Sequence, residues 1–110
     1  MAHDKEIEKE INLLCGGVNG LVPKRMLGGI CYLYRGNMAF GIYKDNLIIR
    51  LGSNHDAAAY IASGEALPFD ITGRAMKGWV MVPKSKLTKT GDYKQWLDRG
   101  LEFAKSLPKK

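Results

Sequence analysis

Cysteine and histidine are scarce in this chain, with two of each among 110 residues. A structural zinc site needs these ligands clustered at short spacing. Cys15, Cys31, His3 and His55 are scattered, so no metal site is expected. There is no CxxC pair, and the two cysteines read as buried, reduced thiols, with a single disulfide as the alternative. No apolar run approaches the roughly 20 residues that span a bilayer. Met1 to Glu10 is polar and acidic, so no secretory signal is expected and the cytoplasm is the expected address. Acidic residues are also short, 11 against 17 lysines and arginines. The shortfall is local. Residues 1–70 carry 7 basic and 8 acidic side chains, and residues 71–110 carry 10 and 3. Such a basic region attracts phosphates, nucleic acid or acidic proteins through a salt-sensitive field. Its plain alternative is a solvated, lysine-rich surface that maintains solubility.

What remains is ordinary globular material. A hydrophobic fraction of 45% is enough to bury a core, and the length suits one domain spanning 1–110. A first helix is expected over Lys5–Cys15, where Ile7, Ile11 and Leu14 share a face. Asp4 can cap it, Glu6 and Glu8 suit its positive end, and Gly16-Gly17 is expected to stop it in the left-handed conformation. A loop is expected from Val18 through Pro23. From Arg25 to Leu51 the pattern turns extended. Ile30–Tyr34, Met38–Tyr43 and Leu47–Leu51 read as strands separated by the short turns Arg35-Gly36-Asn37 and Lys44-Asp45-Asn46. Turns that short join antiparallel neighbours, because parallel strands need long crossovers.

A middle helix is expected over Asp56–Ser63, closed by Gly64. A short strand is expected near Leu67–Ile71 and another over Trp79–Val82, stopped by Pro83. A last helix is expected over Asp92–Leu107, with a frayed Pro108–Lys110 tail. Gly100 inside that helix costs about 1 kcal/mol relative to alanine, so close packing against another element is its expected reason. The fold class is therefore α+β: an antiparallel sheet of about five strands in a hairpin meander, packed with N-terminal, middle and C-terminal helices. Leu47-Ile48-Ile49 and Trp79–Val82 are apolar at consecutive positions, so both faces of the sheet need a cover. That cover is either the chain's own helices or a second subunit, and monomer and homodimer both stay open.

The cadence of Arg25-Met26-Leu27-Gly28-Gly29, Tyr32, Gly36-Asn37-Met38-Ala39-Phe40 and Asp45–Arg50 resembles the N-terminal domain of the TfoX/Sxy family of competence regulators. Leu67-Pro68-Phe69, the strand ending at Pro83 and a helix opening near Trp96-Leu97 fit the same template, over roughly residues 12–107. Leu27 stands where that family usually has phenylalanine. The resemblance implies transcriptional regulation through contact with a protein partner, itself a transcription regulator, without chemistry and without a cofactor. Two-domain relatives are thought to act alongside the cyclic-AMP receptor protein. The family supplies no catalytic residues to map.

Chemistry finds little footing in the residues themselves. Nucleophilic catalysis needs a base beside Cys or Ser, and only a chance approach of His55 to Cys31 would supply one. Neither glycine pair matches a phosphate-binding loop. Gly28-Gly29 reads as a bulge or a close backbone approach, and its functional alternative is a contact surface formed with Arg25. The carboxylates of Asp45, Glu65 and Asp70 sit in turns, where they serve local hydrogen bonds. The expected activity is that of a non-catalytic regulatory or protein-interaction domain. The second reading is a nucleic-acid-binding accessory protein that uses Arg74, Lys77, Lys84, Lys86 and Lys89, and a small enzyme is a distant third.

Overall fold

A computed structural model of the chain describes residues 5–26, 29–52, 54–70 and 75–108. The elements run α1 (Lys5–Cys15), β1 (Leu21–Met26), β2 (Gly29–Tyr34), β3 (Asn37–Tyr43), β4 (Asn46–Arg50), α2 (Asn54–Ala62), β5 (Leu67–Asp70), β6 (Ala75–Pro83) and α3 (Thr90–Lys105), with a 3₁₀ turn at Lys84–Lys86 before α3. The six strands form one open sheet in the order β1-β2-β3-β4-β6-β5, every neighbouring pair antiparallel. The α+β class holds, with one strand more than expected.

The additional strand is β1. It begins at Leu21, inside the stretch expected to be loop, and pairs along its length with β2. Pro23 in its middle made the stretch look unlike a strand. An edge position tolerates proline because one side of the backbone has no neighbour to bond. β5, at the other edge, carries Pro68 in the same way.

The end of α1 also departs from expectation. Gly16 and Gly17 are not among the glycines with positive φ, which are Gly20, Gly36, Gly52, Gly64 and Gly78. The helix does stop at Cys15, but through a turn in which Gly16 N–H donates to the Asn12 carbonyl at 2.9 Å and Val18 N–H to that of Cys15 at 3.0 Å, with neither glycine left-handed. Gly64 does close α2 with φ +82°. Asp4 lies outside the described residues. The chain after α3 is held rather than frayed at Pro108, whose carbonyl accepts from the buried Asn37 side chain at 2.8 Å.

Cross-strand register sorts the sheet into two faces, because directly opposed residues share a face. One row runs Pro23, Tyr32, Phe40, Ile49, Val80, Pro68, and the next runs Arg25, Ile30, Ile42, Leu47, Val82. From these rows Ile30, Tyr32, Phe40, Ile42, Leu47, Ile49, Val80 and Val82 form one core with Ile7, Ile11 and Cys15 of α1, Ala57 of α2, and Trp96, Leu97, Leu101 and Ala104 of α3. All three helices therefore pack on the same face.

A bulge seats α3. Tyr32 opposes Phe40 while Leu33 opposes Met38, so Ala39 is the extra residue. A Cβ on Gly100 would stand 2.5 Å from the Ala39 carbonyl oxygen. The glycine lets the helix backbone touch the bulge, as the sequence suggested.

Candidate interaction surface

Among the described residues, the second face of the sheet carries no helix. A complete row crosses all six strands on it: Lys24, Cys31, Gly41, Ile48, Met81, Leu67. Alternation adds Val22, Leu33, Tyr43, Arg50 and Trp79. Cys31, Ile48 and Phe69 are buried yet stand apart from the helix-side core. Leu33, Tyr43, Trp79 and Met81 are half-buried, while Val22 and Leu67 are 59% and 42% exposed.

Three rings give this face its relief. The Phe69 centroid lies 6.1 Å from that of Tyr43 and 5.9 Å from that of Trp79, in edge and tilted arrangements. Ile48 at the middle of the row is buried, whereas Lys24 and Leu67 at its two ends are exposed. Gly41 is required in that row, since a Cβ there would stand 2.7 Å from the Ile30 carbonyl oxygen.

Cations border the apolar centre. Lys44 Nζ lies 5.4 Å from the Tyr43 centroid, and the Arg50 guanidinium lies 5.9 Å from that of Trp79. The Arg50 guanidinium also lies 5.3 Å from the Phe103 ring of α3 and Nη1 approaches the Met38 carbonyl at 3.5 Å, so it straddles the end of the sheet between the two faces. Lys24 on β1 is exposed.

The residues singled out from sequence scatter across the domain. Arg25 is exposed on the edge strand, opposite Ile30 and so on the helix-bearing face. Gly29 opposes Met26 and Tyr43 on the other face and is held against the Ile42 carbonyl, where a Cβ would clash. Gly28 lies outside the described residues. The close backbone approach is thus present at Gly29, and Arg25 and Gly29 do not share one surface.

Of the basic set, Arg74 and the side chain of Lys77 also lie outside the described residues. Lys84 donates to Glu6 Oε1 at 2.9 Å. Lys86 and Lys89 are exposed. Lys94 on α3 is tied to Asp98 at 2.8 Å, a contact that raises its pKa. Acidic partners therefore offset part of the charge excess in this region.

The two cysteines are free and buried. Cys15 belongs to the helix-side core and Cys31 to the second face, so the sheet separates them. Burial pushes both thiols above their ordinary value. The Asp98 charge adds to the effect at Cys15, while Lys24 opposes it at Cys31. Tyr32 is pushed up to about 12, chiefly by burial and further by Glu8. The side chain of His55 lies outside the described residues. No group of three metal-ligating side chains occurs among the described residues, and none of the described helices is long and apolar enough to cross a membrane.

The sequence signal for this surface was the unbroken apolar character of β4 and β6. Which face stays open was not legible, because that depends on where α2 returns the chain.

A six-stranded antiparallel sheet backed by three helices on one side defines an open-faced α+β domain. The family model of the TfoX N-terminal domain matches residues 14–104, and the chain belongs to that family. Neither a curated protein nor a solved structure matches it significantly.

Proposed function

We propose that this domain is a non-catalytic protein-interaction module whose open sheet face receives an apolar segment flanked by acidic residues. The observation that carries this reading is the row from Lys24 to Leu67, crossing all six strands with no helix above it among the described residues. Large apolar faces rimmed by polar groups are characteristic of contact surfaces. Lys24, Lys44 and Arg50 at the border select acidic flanks and speed encounter. A second copy of the same chain is a poor occupant, because its net charge is +6 and its own border is cationic. Membership of the TfoX N-terminal domain family agrees with a regulatory role exercised through a partner in the cytoplasm.

The test is affinity capture at moderate salt with the wild-type chain and with the Leu67→Glu, Met81→Glu double variant, circular dichroism confirming that both fold. A partner held by the wild type, lost from the variant and displaced by its own acidic-flanked apolar peptide is the expected result. Identical captures on both sink the reading. Binding of random-sequence DNA or RNA that weakens steeply with salt, and is lost on changing Lys84, Lys86 and Lys89 to Glu, would favour the nucleic-acid alternative.

A further inference from the structure

A second site lies on the helix-bearing side, independent of the open sheet face. A groove of about 400 Å³ is walled by Leu51, Tyr60, Arg99, Glu102, Phe103 and Ser106. The Arg99 guanidinium carbon sits 4.6 Å from the Tyr60 ring centroid and 4.6 Å from that of Trp96. Those two rings pack edge to face at 5.1 Å. The two rings, set at 67° to one another, attract the cation and shield part of it from water. Its Nη2 donates to Gln95 Oε1 at 3.0 Å. Nη1 is shielded from water and has no acceptor among the described residues. An orphaned donor on a cation is disfavoured, and an ordered water or an acceptor brought by a ligand can satisfy it.

The groove walls select that acceptor. Leu51, Tyr60 and Phe103 offer hydrocarbon and aromatic surface. The Glu102 carboxylate stands in the same groove, and its repulsion penalises a dianion more than a monoanion. The Ser106 hydroxyl already donates to the Phe103 carbonyl at 2.5 Å, so it offers an incoming anion no free proton. We propose that this groove binds a monoanionic carboxylate borne on a flat apolar body. Arg99 Nη1 donates to a carboxylate oxygen, and Tyr60 and Phe103 hold the body. Because Nη1 is shielded in the free chain, binding requires the Arg99 guanidinium to turn toward the groove, and the bond it gives up is the exposed one to Gln95.

Sodium benzoate titrated into the full chain at constant ionic strength, followed by amide chemical shifts, tests the site. Saturable changes around Leu51, Tyr60 and Arg99–Ser106 are expected. Acetate lacks the apolar body, and at about pH 8 inorganic phosphate is largely dianionic, so each is expected to bind at least about tenfold more weakly there. Arg99→Gln is expected to weaken benzoate binding by about tenfold or more, the worth of one charged hydrogen bond. Glu102→Gln is expected to tighten it severalfold, a gain that a damaged fold does not produce. Shifts that never saturate, phosphate bound as well as benzoate, unchanged binding in Arg99→Gln, or no gain in Glu102→Gln would each overturn the site.

Discussion

The side-chain amide of Asn37 donates to the carbonyl oxygen of Pro108 at 2.8 Å, fastening the first residue of β3 to the chain beyond α3. Asn37 is 3% exposed and is the one buried polar or charged side chain among the described residues. Losing a buried hydrogen-bonded group costs about 1–3 kcal/mol when its partner is left unmet. Asn37→Ala is therefore expected to lower the urea midpoint by a corresponding amount. Truncation after Leu107 should cost no more than that, and the two changes together should cost little beyond either one. Full additivity would mean that the contact does not carry the effect.

Two glycines of α3 should respond oppositely to alanine. At Gly100 the new Cβ would meet the Ala39 carbonyl at 2.5 Å and the Phe40 ring at 3.3 Å. Overpacking of about 1–3 kcal/mol exceeds the roughly 1 kcal/mol that helix propensity returns, so Gly100→Ala is expected to destabilise. At Gly91 nothing lies within 4 Å of the added atom, so Gly91→Ala is expected to raise the thermal midpoint slightly. Midpoints that move in the same direction would contradict the close contact between α3 and the bulge.

Asp92 gives the acid limb of stability a local cause. Its carboxylate accepts from the Thr88 N–H at 3.0 Å and the Lys89 N–H at 3.1 Å, and these bonds hold its pKa below the ordinary value. A depressed folded pKa contributes stability above the unfolded value of about 4 and loses it as pH falls through the lower folded value. Asp92→Ala should be less stable than wild type at pH 7, with the gap closing below about pH 4. Urea unfolding at the two pH values measures it, and a gap that stays constant would remove Asp92 as the cause.

Thiol reactivity should track folding. Both cysteines are buried with pKa values raised by that burial, and the thiolate is the reactive form. A thiol reagent at pH 8 is expected to modify the native chain slowly and the urea-unfolded chain rapidly at both positions. Rapid labelling of the native chain at Cys31 would show the second face to be looser than its burial implies.

Much of this fold was legible because its local signals agree. The helical spacing of Ile7 and Ile11 and the turn residues at Arg35-Gly36 and Lys44-Asp45 placed α1, β2, β3 and β4 within a residue or so. Arg35 and Lys44 accept positive φ at these turns, 51° and 57°. β1 was missed because Pro23, Lys24 and Arg25 have the composition of a loop, and only an edge position accommodates them. α3 begins at Thr90 rather than Asp92 because Asp92 reaches back to Thr88 and Lys89, which places it inside the first turn. The groove at Arg99 left no trace in the sequence. Tyr60 of α2, Arg99 of α3 and Leu51 just after β4 come from three separate stretches, and nothing local to any of them announces their meeting.

The prolines at the sheet's two borders have a consequence for the crowded, partly folded chain. An exposed strand edge is a template on which another extended chain can add by backbone pairing, the first step of runaway aggregation and of strand exchange between copies. Here each border lacks a backbone donor within the strand, at Pro23 on one side and Pro68 on the other. A neighbouring chain that pairs across either proline meets a break in the ladder. The domain can thus keep a broad apolar face available while refusing to grow sideways into a fibril.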